Sequence, residues 1–191
     1  MPPKTKITKE KIIQAAFEIA RAEGIENVNA RSISQKLDCS TQPVLYHFTK
    51  VEDIRIAAHK LAEEYHIKYV TDLNAEYETP MLEVGMRYIK FSVQENNLFR
   101  YLFLSNYYSG VDLFDYLSEK NLRPVFEILK TQANLNDQEA RTLFSVIFLV
   151  VHGISSLLAN NSMVYEEEYC IKMLSNAYFG TIGLIQSGDL F

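Results

Sequence analysis

Residues 29–47 constrain the fold more than any other part of this chain. They comprise a helix-capping asparagine, a short run with apolar residues at helical spacing, a turn at residues 38–40, and a second short run that begins with small polar residues. Asp38 tolerates the left-handed backbone that a tight interhelical turn requires, and Ser40 can cap the helix that follows. Pro43 then falls in the first helical turn, where its missing N–H removes no intrahelical hydrogen bond. The segment therefore predicts two short helices joined by a three-residue turn.

A longer amphipathic helix precedes these two. Thr8 is placed to be its N-cap, and Glu10 lies in its positive first turn. Gly24 ends the helix as a glycine after the last helical turn commonly does. Its apolar stripe consists of Ile12, Ile13, Ala16, Phe17 and Ala20. A helix packed behind two short ones makes a helix-turn-helix, which we assign to residues 1–50.

The remainder of the chain also favours helices. Of its 191 residues, 48% are hydrophobic, and only seven are Gly and five are Pro. The apolar residues recur at helical rather than alternating spacing. We therefore predict an all-α protein of about nine helices, in which residues 51–191 form a second helical domain.

Capping signals divide this second domain. A fourth helix is expected from Lys50 to near Ala75, and residues 49–52 form its capping box. This helix would transmit movements between the domains as a rigid lever. Later segments are expected near 81–95, 98–108, 112–133, 137–160 and 166–187. Their end signals are Thr79-Pro80, Gly110, Asn136 with Glu139, and Gly188.

Charge is unevenly distributed along the chain, whose net charge is -5. Residues 1–60 hold ten Lys and Arg against seven Asp and Glu, whereas residues 61–191 hold nine against seventeen. A basic first part joined to an acidic remainder is expected when only one end of a chain meets nucleic-acid phosphates.

Residues 8–54 resemble the TetR/AcrR family of bacterial transcriptional regulators. The resemblance rests on Ala15-Ala16, EGIENVNARSIS, CSTQPVLYHF and the acidic pair before Ile54. In the rest of the chain it extends only to the order of the helices and to a His152-Gly153 pair. It implies a helix-turn-helix DNA-binding domain followed by a helical ligand-binding and dimerisation domain. The implied function is that of a homodimeric repressor, released from a palindromic DNA operator by a small apolar or aromatic effector.

The resemblance also implies DNA-binding residues. The third helix would be the recognition helix and would present Ser40, Thr41, Gln42 and Pro43 to base edges in the major groove, with Gln42 able to bond adenine bidentately. Tyr46 and His47 would reach phosphates, and Thr8 and Arg31 would be outer contacts. Leu45 and Phe48 would face inward. Val51 stands where the family usually has a phosphate-binding lysine, so Lys50 would supply that charge.

Aromatic residues crowd the window 88–116, and others follow on later helices. Small-molecule pockets are mostly apolar and aromatic with a few polar groups, although aromatics at helical spacing also form ordinary cores. With the resemblance, this pattern makes the candidate ligand-binding residues Tyr88, Phe91, Tyr101, Phe103, Tyr107, Tyr108, Phe126, Phe144, Phe148 and His152.

The segment 143–159 is apolar enough to suggest a membrane span, but it contains serines and His152. We expect a core or dimer helix instead and no membrane contact. Because this helix is apolar nearly all round, a partner must cover it, and the last helix, with Gly180 and Gly183, can supply the partner surface. Two such helices per chain would form a two-fold homodimer. No apolar signal segment follows the opening MPPKTKITKE, so a cytoplasmic location is expected.

No phosphate loop, nucleophile elbow or zinc ribbon occurs, which argues against an enzyme, a cofactor or a metal. His59, Glu63 and His66 form one helix stripe, but seven residues rise about 10.5 Å, too far for both histidines to share an ion. We expect an exposed polar stripe there. The alternative function is a TetR-like adaptor or co-activator that a protein partner controls.

Overall fold

The computed structural model describes residues 7–105 and 123–189, without the side chain of Pro124. Within these ranges the chain forms nine α-helices, one 3₁₀ turn (Ile25–Asn27) and no strand, which confirms the all-α prediction. The helices are α1 Lys9–Glu23, α2 Ala30–Lys36, α3 Thr41–His47, α4 Val51–Thr71, α5 Pro80–Gln94, α6 Asn96–Phe103, α7 Arg123–Ala133, α8 Asp137–Ala159 and α9 Glu167–Ser187. The predicted segment 112–122 and the end signal at Gly110 lie outside the described residues.

The chain divides into two compact units. Among the described residues, unit 1 contains 7–65 and 97–105, and unit 2 contains 66–96 and 123–189. Helix α4 contributes residues to both units. The functional division that we placed at residue 50 stays a prediction.

Side-chain caps begin four of the nine described helices, at positions where the sequence predicts them. The Thr8 hydroxyl accepts a hydrogen bond from the Lys11 N–H (3.3 Å), and the Thr79 hydroxyl accepts one from the Leu82 N–H (3.1 Å). Asn136 forms a capping box with Glu139, as predicted. These bonds satisfy N–H groups that a helix start leaves without an intrahelical partner.

Helix α4 ends at Thr71, four residues before the predicted end at Ala75. Ala75 has φ 58°, a left-handed conformation that a helix cannot contain. Within unit 1, the Arg55 guanidinium donates two hydrogen bonds to the carbonyl of Val28, at 3.2 and 2.9 Å. This contact fixes α4 against the segment that leads into α2.

The expectation of an exposed polar stripe on α4 is wrong, because His59 and His66 are both buried. His66 belongs to a stripe of buried residues that repeats every fourth position, namely Ile54, Ala58, Ala62, His66 and Val70. His59 packs edge-to-face on Tyr101 within unit 1, with ring centroids 5.1 Å apart, and its Nδ1 lies 3.4 Å from Glu63 Oε1. Burial follows from helix register, which places residues 62 and 66 on one face.

Unit 2 is built around close packing of α5, α8 and α9. A Cβ atom added at Gly85 would lie 2.4 Å from Leu174 Cδ2, so α5 approaches α9 closely here and a larger residue would require the Leu174 side chain to move. Within unit 2, Asn96 donates to the carbonyls of Ser92 and Ala159, both at 3.2 Å, and so links the turn after α5 to the end of α8. Helix α8 is long and apolar enough to cross a membrane, but eight of its residues lie in the core of unit 2. It is therefore a core helix.

Candidate nucleic-acid interface and apolar cavity

The turn before α3 has the predicted backbone. Asp38 adopts a left-handed conformation, with φ 48°, and the Cys39 N–H donates to the carbonyl of Ser34 (3.0 Å). Asn29 caps α2 through bonds from the N–H groups of Arg31 and Ser32, and the Ser32 hydroxyl accepts from the Asn29 N–H. Ser40 occupies the N-cap position of α3, but its hydroxyl makes no capping hydrogen bond. The start of α3 thus presents backbone N–H groups that its own cap does not cover.

Helix α3 is anchored on one side and open on the other. Val44 is fully buried and Phe48 is nearly so, whereas Thr41 and Gln42 are exposed and Tyr46 is 84% exposed. Of the other residues expected at this interface, Ser40, Arg31 and Lys50 are exposed, and Thr8 and Pro43 are half-buried. The structure thereby brings these polar side chains to the surface of one unit.

His47 has a contact that the sequence did not indicate. Its Nε2 lies 3.1 Å from the carbonyl oxygen of Ile7, which ties the end of α3 to the residue before Thr8. Its ring packs edge-to-face on Tyr46, with centroids 5.4 Å apart. At the start of α1, hydrogen bonds from the Glu10 backbone and the Thr8 side chain lower the pKa of the Glu10 carboxyl.

One orientation that we expected in α3 is wrong. Leu45 is 48% exposed, and the inward residue is Val44, which sequence reasoning did not single out. Adjacent residues of a helix point about 100° apart, and the register that buries Val44 and Phe48 turns Leu45 towards the surface. The spacing of four residues between Val44 and Phe48 is the signal that identifies the buried face. The inward orientation of Phe48 is confirmed.

A small apolar cavity of about 40 Å³ lies inside unit 2. Tyr88, Phe144 and Phe148 line it together with aliphatic residues of α5, α7 and α8. His66 also lines it, although the sequence did not suggest a role for this residue. A cavity of this size has room for a few water molecules, whereas pockets for drug-sized ligands measure about 300–1,000 Å³.

The remaining ligand-binding candidates are dispersed. Phe91 is fully buried, His152 Nδ1 lies 3.0 Å from the Tyr88 hydroxyl, and Phe126 packs against Phe144 at 6.4 Å between centroids. Tyr101 and Phe103 belong to unit 1, where the Tyr101 hydroxyl donates to the carbonyl of Arg55. Tyr107 and Tyr108 lie outside the described residues.

Burial disfavours the charged form of both histidines in unit 2. It lowers the pKa of His66 to about 3 and lowers that of His152. The His66 ring is held edge-on between Tyr88 and Phe91, with centroid distances of 5.2 and 4.8 Å. Among the described residues, no group of three or more His, Cys, Asp or Glu side chains is arranged to hold a metal ion.

No family model matches the sequence. The chain is 20% identical over 170 residues to YobS, an uncharacterized HTH-type transcriptional regulator of Bacillus subtilis, and the match covers 88% of this chain and 87% of that protein. Among solved structures, it is similar to the multidrug binding protein EbrR complexed with ethidium (TM-score 0.53, 21% identity, 92% of this chain and 98% of EbrR). It is also similar to a TetR-family member from Streptomyces coelicolor A3 (TM-score 0.53, 22% identity, 88% and 96%) and to a transcriptional regulator from Rhodococcus sp. Rha1 (TM-score 0.58, 15% identity, 95% and 97%).

These likenesses place the chain in one class by its architecture: it has the fold of the TetR-family regulators. The resemblance of residues 8–54 is thereby confirmed at the level of the fold.

Proposed function

We propose that this chain is a DNA-binding transcriptional regulator, and that α3 is its recognition helix. The observation that carries the proposal is the exposed face of α3, which presents Thr41, Gln42 and Tyr46. The buried side chains of Val44 and Phe48 hold the helix in place on its other side. An α-helix fits the major groove of B-DNA, and a recognition helix reads bases with its N-terminal residues. The TetR fold and the basic first part of the chain support the same function.

The remaining residues expected at the interface have distinct roles in this proposal. Ser40 and Pro43 face base edges beside Thr41 and Gln42, while Tyr46, His47 and Lys50 contact phosphates. Thr8 and Arg31 make outer phosphate contacts at the starts of α1 and α2. Phosphate contacts fix the register of the protein on DNA, and base contacts select the sequence.

The regulator acts as a homodimer through α8 and α9. Both helices expose apolar side chains, including Leu149 and Leu157 on α8 and Met173 and Leu184 on α9. Glycines lie among them at positions 153, 180 and 183, where an added Cβ would meet no atom of the described chain within 4 Å. Glycine inside a helix is about 0.5–1 kcal/mol less favourable than alanine, so three open glycines are best explained by a closely approaching second helix. A two-fold dimer would place two recognition helices on a palindromic operator.

A small apolar or aromatic effector controls the regulator in this proposal. The protein is then a cytoplasmic repressor that leaves its operator when the effector binds. EbrR has been solved in complexes with ethidium and malachite green, which supports a small aromatic effector, and the apolar cavity in unit 2 is the site that we propose for it. The cavity measures about 40 Å³, which is too small for a molecule as large as ethidium. An effector of that kind therefore binds only a form of the protein in which the cavity is wider. Such a ligand shifts the population towards that form by its differential affinity.

Fluorescence anisotropy with the upstream intergenic DNA, at two salt concentrations, tests DNA binding. Gln42→Ala should change sequence preference, by about 1–3 kcal/mol at one base pair, whereas Tyr46→Ala should weaken binding to all sequences alike. Gln138→Ala, at an exposed position of unit 2, is the control and should bind as the unchanged protein does. Unaltered binding by both α3 variants would show that α3 is not the recognition helix.

The adaptor alternative is tested with the same DNA complex. The small size of the cavity favours it, because a protein partner needs no internal space. If ligands that bind unit 2 never release the DNA, while a protein captured from the native host does, control by a partner replaces control by a small effector.

A further inference from the structure

Unit 1 contains a groove of about 510 Å³ that lies beside the exposed face of α3 rather than on it. The start of α1, the end of α3 and one face of α4 enclose the groove. Apolar side chains make up much of its lining, namely Ile13, Phe48, Ile56, Ala57 and Leu61. Its volume lies within the usual range for small-molecule sites, unlike that of the cavity in unit 2.

The register of α4 arranges charges along this groove. Asp53, Ile56, Ala57, Lys60 and Leu61 are spaced so that they share one helix face. Asp53 and Lys60 are separated by about 10.5 Å along the helix axis, with apolar residues between them. Ile56 is 51% exposed, so this apolar stretch is open to a ligand.

The positive charges in the groove exceed the negative ones. Lys9 and Lys60 line it together with a single carboxylate, that of Asp53. The Lys9 ammonium lies 5.0 Å above the centre of the Phe48 ring, a cation–π contact. Lys60 is exposed and has no carboxylate oxygen within 4 Å among the described residues. It is therefore the cation best placed to meet an added anion.

We propose that this groove is a binding site for a small amphipathic carboxylate, such as a medium-chain fatty acid. The hydrocarbon chain would lie over Ile13, Ile56 and Leu61, and the carboxylate would meet Lys60. His47 and Thr49 also line the groove, so an occupant touches the end of α3 directly. An effect on DNA binding rests on the function proposed above, whereas the binding of the carboxylate does not.

Isothermal titration calorimetry of the full chain, without DNA, tests the site with sodium decanoate. Decyltrimethylammonium has a hydrocarbon chain of similar length on a head group of the opposite charge, and it should bind at least tenfold more weakly. Lys60→Glu should weaken decanoate binding about five- to tenfold, since it reverses one partly screened charge. Lys68→Glu, which makes the same change on α4 at a position that does not line the groove, should leave the affinity unaltered.

Ala57→Phe fills the groove and should abolish decanoate binding. Lys60→Glu changes an exposed position and leaves the fold intact, so it tests the groove independently of any effect of Ala57→Phe on folding. Equal decanoate affinity in the unchanged protein and the Lys60→Glu variant would overturn the proposal, as would equal affinity for the two amphiphiles. Absence of any decanoate binding would overturn it too. Because DNA is absent, none of these results depends on whether the chain is a regulator.

Discussion

His66 shows how the position of one residue sets a property of the whole unit. Its ring is 4% exposed, between Tyr88 and Phe91, and burial lowers its pKa to about 3. In the unfolded chain a histidine titrates near pH 6.5. Below that pH the unfolded state binds a proton that the folded state excludes. The neutral histidine therefore contributes stability that is complete above about pH 6.5 and is lost progressively as the pH falls towards 3.

Replacing His66 with Phe should weaken the pH dependence of stability. Between pH 7 and pH 5 the histidine alone should lower the free energy of unfolding by about 2 kcal/mol, and His66→Phe should remove that part. Urea unfolding at the two pH values measures the difference. Phe91→Leu perturbs the same packing but keeps the histidine, so it should retain the pH dependence. An equal pH dependence in the unchanged protein and His66→Phe would mean that His66 titrates in the folded state as it does in the unfolded chain.

Among the helices that begin with a side-chain cap, α2 depends most on it, because with seven residues it is the shortest of them. The Asn29 side chain accepts hydrogen bonds from two N–H groups, and the Asn29 N–H donates one to the Ser32 hydroxyl. Helices this short are not stable without tertiary contacts and capping. The same box at Asn136 begins a helix of 23 residues, which has many more internal bonds.

Asn29→Ala should destabilise unit 1 by about 1 kcal/mol, since two N–H groups lose their acceptor. Amide hydrogen exchange should become faster in α2 and in the turn at Asp38 that positions α3. Asn29→Asp keeps an acceptor at the same place and should restore slow exchange. Asn136→Ala should speed exchange only at the start of α8. Unchanged exchange in α2 on loss of the Asn29 side chain would show that tertiary packing alone holds this helix.

For the whole molecule, the proposed dimer predicts an unusual response at Gly180. Replacing a helical glycine with Glu improves helix propensity, and a Cβ atom added at Gly180 would meet no atom of the described chain within 4 Å. Gly180→Glu should therefore leave one chain folded while preventing association with a second. Sedimentation velocity should give the mass of one chain for this variant and twice that mass for the unchanged protein. Gln35→Glu, an exposed substitution on α2, should remain dimeric; a dimeric Gly180→Glu variant would exclude α9 from the interface.

Local signals in the sequence determined four of the described helix starts and the turn. Thr8, Asn29, Thr79 and Asn136 cap the helices for which they were predicted, and Asp38 adopts the left-handed conformation. These features depend on hydrogen bonds and steric limits within a few residues, so the chain specifies them wherever it folds. The helix-turn-helix and its exposed polar residues follow from them.

Tertiary packing decided which side of each helix is covered and how much space remains inside. Leu45 and Val44 are equally apolar in the sequence, and only contact with the rest of unit 1 buries one and exposes the other. His66 became a core residue because the covered face of α4 includes position 66. The 40 Å³ cavity, likewise, depends on how side chains from α5, α7 and α8 interlock. Each outcome rests on residues far apart in the chain, whose contacts a local pattern does not contain.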